Sequence, residues 1–134
     1  NINGKQILLN LVKNPVGLNQ VLELIGLDNH PFMLVSILNN HYADGTDVSW
    51  IWDGHYEQLT EYPIQQVVVG GMKADEMKLR LTVAGIAEDK ISQLASIDDI
   101  ITRIENSSEE YVHILATYTA MLDLRTKLTD KGYI

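Results

Sequence analysis

The sequence predicts an α/β domain: a Rossmann-like, mostly parallel sheet with helices on both faces. Three observations predict it. Short apolar runs alternate along the chain with segments whose apolar residues recur at helical spacing, the signature of successive strand–helix–strand units. The run Phe32–Leu38 (FMLVSIL) is apolar on both faces, as a strand covered from both sides must be. The 134 residues suffice for one domain with a real core and not for two, so 1–134 reads as a single domain.

The elements follow in order. Gln6 to Val12 (QILLNLV) is a strand ended by Lys13-Asn14-Pro15-Val16-Gly17, where Pro15 disfavours helix at Asn14 and removes a backbone donor. Apolar residues at 18, 21, 22 and 25 predict a helix from Leu18, with Gly26 placed to end it. After Phe32–Leu38 comes a polar and aromatic segment, then the β-branched strand Gln65–Val69, closed by Gly70-Gly71. A helix from about Ala74 presents Met77, Leu81 and Ala84 on one face, with Lys73, Glu76 and Arg80 mostly on the other and Gly85 as its stop. Lys90–Leu94 reads as a short edge strand. Ser96 is placed to cap a helix with Asp98 and Asp99 in its first turn and an apolar stripe of Ile97, Ile100, Ile101 and Ile104. Tyr111–Ala116 is the last strand and Tyr118–Leu128 the closing helix. A sheet of about four to six strands results.

Composition narrows the function classes. Apolar residues make up 46% and charged residues 21%, an ordinary globular balance without a case for disorder. The net charge of −8 would repel a phosphate backbone, so nucleic acid is not an expected partner. The chain has no cysteine, which excludes disulfides, thiolate metal sites and a cysteine nucleophile within it and fits a reducing cytoplasm. The apolar runs are too short to be a transmembrane segment, and no export signal opens the chain. It starts without methionine and enters a strand almost at once, the reading of an excised domain or a trimmed N-terminus.

In an open parallel sheet, ligands bind beyond the carboxyl ends of the strands. Four segments fall there: Lys13–Gly17, Asn39–Asp53, Gly70–Asp75 and Thr117–Thr119. Asn14-Pro15-Val16-Gly17 and Gly70-Gly71 each precede a helix, but neither matches a phosphate-loop or dinucleotide pattern, and a purely structural role is the better local reading. The stretch LNNHYADGTDVSWIWDGHYEQL, 38–59, gathers Asp44, Asp47 and Asp53 with both tryptophans of the chain. Asp44-Gly45 signals a turn, and Thr46 or Asp47 is suited to cap whatever starts near Ser49. Asp53 follows Trp50, Ile51 and Trp52; a carboxylate beside large rings can serve as a base, orient a histidine, or simply be solvated. The histidines at 30, 41, 55 and 113 show no helical metal-ligand spacing, so no metal site is expected. His113 reads as a satisfied strand histidine, and no serine sits in a nucleophile elbow.

Four stretches taken together resemble the C-terminal domain of the MurT family, the Mur-ligase-like subunit of lipid II isoglutaminyl synthase. They are KNPVGLNQVLELI at 13–25, the 38–59 stretch above, VVVGGMKADEMKLRLTVAG at 67–85 and ATYTAMLDLR at 116–125, in family order and spanning nearly the whole chain. The resemblance implies an ATP-dependent ligase that activates the α-carboxylate of D-glutamate in the lipid II stem peptide. Ammonia from a GatD-like glutamine amidotransferase subunit then gives D-isoglutamine, in the cytoplasm at the inner face of the membrane. ATP and Mg2+ are implied for the full-length enzyme and not for this domain alone, because the phosphate loop and zinc-binding cysteines belong to a central domain outside this chain. By the same resemblance Asp53 is the first candidate for a catalytic aspartate and Asp47 the second, with Asn14, Thr117, Tyr118 and Thr119 as cleft residues. The family's loop is expected to be more serine- and arginine-like than Gly70-Gly71-Met72-Lys73. The competing expectation is a non-catalytic Rossmann-like docking module for a partner subunit.

Overall fold

The structure is a computed structural model describing residues 2–134. Strands β1 (Gln6–Leu11), β2 (Phe32–Ile37), β3 (Ile64–Gly70), β4 (Ile91–Gln93) and β5 (Tyr111–Ala116) alternate with helices α1 (Pro15–Gly26), α2 (Ala74–Ala84), α3 (Ile97–Asn106) and α4 (Tyr118–Asp130). Between β2 and β3 the chain forms three 3-10 turns in place of a helix: Tyr42–Asp44, Ser49–Asp53 and Tyr56–Glu61. A fourth, Glu88–Lys90, precedes β4.

All five strands are parallel, in the order β1-β5-β2-β3-β4. Parallel neighbours need right-handed crossovers, so the direction of travel across the sheet decides which face each connection covers. The connections from β1 to β2, β2 to β3 and β3 to β4 all advance one way and cover one face. Leu18, Leu22 and Ile25 of α1, Ile51 and Leu59 of the turns, and Met77 and Leu81 of α2 form that core with Phe32, Leu34, Val67 and Val69. From β4 to β5 the chain travels back, and α3 and α4 cover the other face. There Ile100, Ile101, Ile104, Ala120, Leu124 and Leu128 pack on Met33, Val35, Ile37 and Val68. Every residue of β2 is buried, Ser36 included, as a strand apolar on both faces and covered from both sides requires.

Several details differ from the sequence reading. Helix α1 begins at Pro15, earlier than the apolar spacing indicates, because Asn14 is its N-cap and proline at the first helical position gives up only an amide that would be unpaired there. Arg80, placed by periodicity on the polar face of α2, is instead buried. His113 is buried too, but neither ring nitrogen has a hydrogen-bond partner among the described residues. Its Nε2 lies 3.7 Å from Asp28 Oδ2, beyond hydrogen-bond reach. Burial lowers the His113 pKa, and the nearby Asp28 only partly opposes it.

Candidate functional site

Neighbouring strands whose connections leave to opposite faces open a crevice at their carboxyl ends. Here β2 feeds the first face and β5 the second, so the crevice lies between Asn39 and Thr117. A continuous hydrogen-bond network spans it. Thr117 Oγ1 accepts from Asn39 N at 2.9 Å, and Asn39 Nδ2 donates to Thr119 Oγ1 at 3.0 Å. Thr119 donates to Asp44 twice, from its N–H to Oδ1 at 2.7 Å and from its hydroxyl to Oδ2 at 2.6 Å. Asp44 Oδ2 also accepts from His41 N at 3.1 Å, and Asn39 Oδ1 accepts from Met72 N at 2.9 Å.

Asp44 therefore caps α4 from 75 residues away. Thr117 stands at the N-cap position of α4 but forms no side-chain cap bond, since its hydroxyl holds Asn39. The carboxylate of Asp44 takes over, satisfying a first-turn amide and facing the positive end of the helix.

Several other amides on this edge are also engaged by the chain itself. Asn14 Oδ1 accepts from Gly17 N at 2.8 Å at the start of α1. Gly71 has φ +92°, and a Cβ there would lie 2.5 Å from the Leu38 carbonyl. That close approach lets Lys73 N donate to Leu38 O at 2.9 Å, beside the Met72–Asn39 bond. A cleft of about 410 Å³ opens next to this loop, lined among others by Asn39, Gly71, Ser96, Asp98, Asp123 and Lys127, with Lys127 Nζ 3.4 Å from Asp98 Oδ2. Two carboxylates line this cleft, and no group of three or more metal-binding side chains lies among the described residues.

The tryptophan segment is organised by Arg80. Its Nε donates to Ile51 O at 2.9 Å and its Nη2 to Gly54 O at 2.7 Å. Nη1 and Nη2 form a two-pronged pair with Glu57, each at 2.9 Å. The guanidinium lies 5.3 Å from the Trp52 ring centre and 5.2 Å from that of Tyr56. The bonds from Arg80 hold the Glu57 carboxyl below its ordinary pKa, while desolvation pushes the buried Tyr56 phenol up. A Cβ at Gly54 would lie 2.3 Å from Leu18 Cδ2, so a larger residue there would have to displace the buried Leu18 side chain. Trp50 packs against the first-face core and Trp52 stays 43% exposed.

Of the sequence candidates, Thr117 and Thr119 enter the crevice network directly, and exposed Tyr118 stands beside them. Asn14 caps its own helix. Asp47 is exposed and accepts from Ser49 N at 2.9 Å, which lowers its pKa and starts the second 3-10 turn. Asp53 is exposed at the end of that turn and accepts no hydrogen bond from a described residue. Nothing in the local sequence marks Asn39, Asp44 or Arg80 as a site residue. Asp44-Gly45 carries a local turn signal that conceals a partner 75 positions away, and Arg80 matches a solvated helix face.

The family profile "MurT ligase C-terminal" matches residues 11–121. The chain belongs to the MurT ligase C-terminal family. It is 42% identical over 133 residues to the lipid II isoglutaminyl synthase (glutamine-hydrolyzing) subunit MurT of Streptococcus pneumoniae, covering 99% of this chain and 30% of that protein. MurT of Staphylococcus aureus is 39% identical over 84 residues, 61% of this chain and 19% of that one. The chain thus spans about a third or less of the length of these MurT relatives. Among solved structures, the UDP-N-acetylmuramate-alanine ligase MurC of Thermotoga maritima superposes with a TM-score of 0.57 at 10% identity, over 94% of this chain and 26% of MurC. That likeness concerns the fold, and it agrees with the Mur-ligase type of C-terminal domain. No described helix is long and apolar enough to cross a membrane.

Proposed function

We propose that the full-length protein is the ligase subunit of a two-subunit amidotransferase that converts the α-carboxylate of D-glutamate in lipid II to the amide of D-isoglutamine. A GatD-like glutaminase partner supplies the ammonia, and the reaction takes place in the cytoplasm, at the inner face of the membrane. The observation that carries this reading is the 42% identity to a MurT subunit across 99% of the chain. ATP with Mg2+ supplies the activation of the carboxylate, and elements of the subunit beyond this chain hold the nucleotide.

In this reading the domain forms one wall of the cleft. Asn39, Asp44, Thr117 and Thr119 keep the wall rigid, which favours reactant positioning. Asp53 is the catalytic candidate, because its carboxylate is exposed and unengaged, free to accept a proton or orient a partner's histidine. Asp47 is second, with Oδ1 already held by Ser49 N. The test is Asp53→Asn in the full-length subunit with its partner, reading lipid II amidation by mass spectrometry. Loss of ~100-fold or more with an unchanged fold is expected for a proton-transferring carboxylate. Near-normal amidation would remove Asp53 from the mechanism.

A second reading, docking without chemistry, is favoured by exposed apolar side chains: Tyr42 at 94%, Met72 at 55% and Tyr118 at 47% along this edge, and Trp52 at 43% beside Arg80. Under it, Trp52→Ala weakens partner binding while Asp53→Asn leaves amidation intact.

A further inference from the structure

Both aspartates that the amidation reading brings forward ride on one short turn. Asp47 closes the start of the 3-10 turn Ser49–Asp53 by accepting from Ser49 N at 2.9 Å, and Asp53 is its last residue. Each carboxylate is exposed, and neither accepts a bond from a side chain among the described residues. The direction in which each points is therefore inherited from the turn.

The turn holds that direction poorly by itself. Its own bonds are long, Ile51 N to Val48 O at 3.2 Å and Gly54 N to Ile51 O at 3.3 Å, in keeping with the poorer bond geometry of a 3-10 turn. Val48 and Ile51 are buried beneath it, but apolar burial is non-directional and does not fix an orientation. Arg80 does. Its bonds to Ile51 O at 2.9 Å and Gly54 O at 2.7 Å are shorter than those of the turn and grip the main chain on both sides of Asp53. Beside this grip, His55 N donates to Asn19 Oδ1 at 2.8 Å, which ties the exit of the turn to α1. All three guanidinium nitrogens are engaged, and Arg80 is 2% exposed. Stability alone is a weak reason for such a residue, since apolar side chains of similar volume often replace a buried ion pair without loss. What a guanidinium adds is direction, because a planar fork fixes two carbonyls at once.

We propose that Arg80 is a positioning residue for amidation: it fixes the Ser49–Asp53 turn, and thereby the direction of the carboxylates at its two ends. The inference rests on the reading that a carboxylate of this segment acts in the reaction, and it holds for Asp53 and Asp47 alike. Arg80 lies buried beneath the turn and acts only through it.

Steady-state amidation of lipid II by the full-length subunit with its partner tests this in Arg80→Lys, which keeps the charge and loses the fork. The kcat is expected to fall about 10- to 100-fold, the scale of a reactive group misplaced by about 1 Å. KM for glutamine and for lipid II should stay within about twofold, as for an interaction that matters only in the transition state. The loss should persist at temperatures well below the variant's unfolding midpoint, where a merely structural defect disappears. In the background of whichever aspartate change lowers amidation, Asp53→Asn or Asp47→Asn, Arg80→Lys should cost less than about threefold more, because the carboxylate it positions is gone. Glu57→Ala loosens the guanidinium while leaving both carbonyl bonds; its kcat should fall about threefold or more, and it carries the test if the lysine variant folds poorly. Recovery on cooling, cure of the defect by excess partner, or full additivity with the aspartate change would overturn the proposal. If neither aspartate change lowers amidation, the reading of this segment falls and the inference with it. If one does while Arg80→Lys keeps its kcat, only the inference falls.

Discussion

Replacing Arg80 with methionine should destabilise the domain far more than removing the ion pair it makes. Methionine keeps much of the length and apolar stem of arginine but has no donors. The buried Gly54 carbonyl then loses its donor outright, and the Ile51 carbonyl loses one of two, keeping Gly54 N at 3.3 Å. A buried acceptor left unpaired costs about 1–3 kcal/mol and a hydrogen bond lost from an acceptor that keeps another partner about 0.5–1.5 kcal/mol, so the two together cost about 1.5–4.5 kcal/mol. The Glu57 side chain is 58% exposed, and solvent screening limits its share to under about 1 kcal/mol. Arg80→Met should therefore lower unfolding stability by about 2–4 kcal/mol, and Glu57→Gln by no more than about 1 kcal/mol. Arg80→Lys should lie close to the methionine variant, because an ammonium cannot reproduce the planar fork that reaches both carbonyls. Urea unfolding followed by tryptophan fluorescence is the direct assay, since both tryptophans sit on the segment that Arg80 holds. If Glu57→Gln costs as much as Arg80→Met, or if the latter costs under about 1 kcal/mol, the carbonyls are not what anchors the segment.

Three further outcomes can be checked. Asp44→Asn should cost about 1–2 kcal/mol by weakening the cap of α4, and exchange of the Thr119 amide should quicken while the middle of β2 is unaffected. Gly71→Ala combines positive φ with a Cβ 2.5 Å from Leu38 O, so thermal unfolding should show a loss of about 2 kcal/mol or more. The folded-state pKa of His113 lies below its unfolded value of about 6.5, so the unfolded chain takes up more protons as pH falls. Stability from neutral His113 is complete above pH ~6.5 and is lost as pH falls toward the folded value. His113→Phe should flatten that pH dependence and Asp28→Asn should steepen it, as read by urea titrations across this range.

The fold was legible because its determinants are local and repeated. Phe32–Leu38 announced a strand covered on both faces, Gly70-Gly71 a turn with close backbone approach, and Ser96 a cap, and each holds. The alternation of strand and helix predicted a parallel sheet, although the insertion of β5 between β1 and β2 depends on handedness and packing rather than on any one residue. The candidate edge was legible for the same reason, through Thr117–Thr119 and the segment after β2. What stayed hidden depends on partners remote in sequence. Asp44 resembles any turn aspartate until Thr119 is brought to it, and Arg80 resembles any surface arginine until two carbonyls of the 3-10 turns converge on it. His113 was expected to be satisfied, and nothing in its neighbourhood along the chain signals that its ring would pack against Phe32 without a hydrogen bond.

The cap of α4 by Asp44 also sets a threshold for any visitor. The carboxylate behaves as a built-in competitor: an incoming anion that seeks the same helix end must first displace a group tethered to the same molecule. Displacement forfeits about 1–2 kcal/mol of capping, which weakens such an anion by roughly 5- to 30-fold against an open helix end. Expulsion of Asp44 would also release the Tyr42–Asp44 turn from α4, so one arrival would loosen contacts between segments that serve opposite faces of the sheet. A ligand that leaves this bond alone meets a rigid wall, whereas one that breaks it has a movable loop.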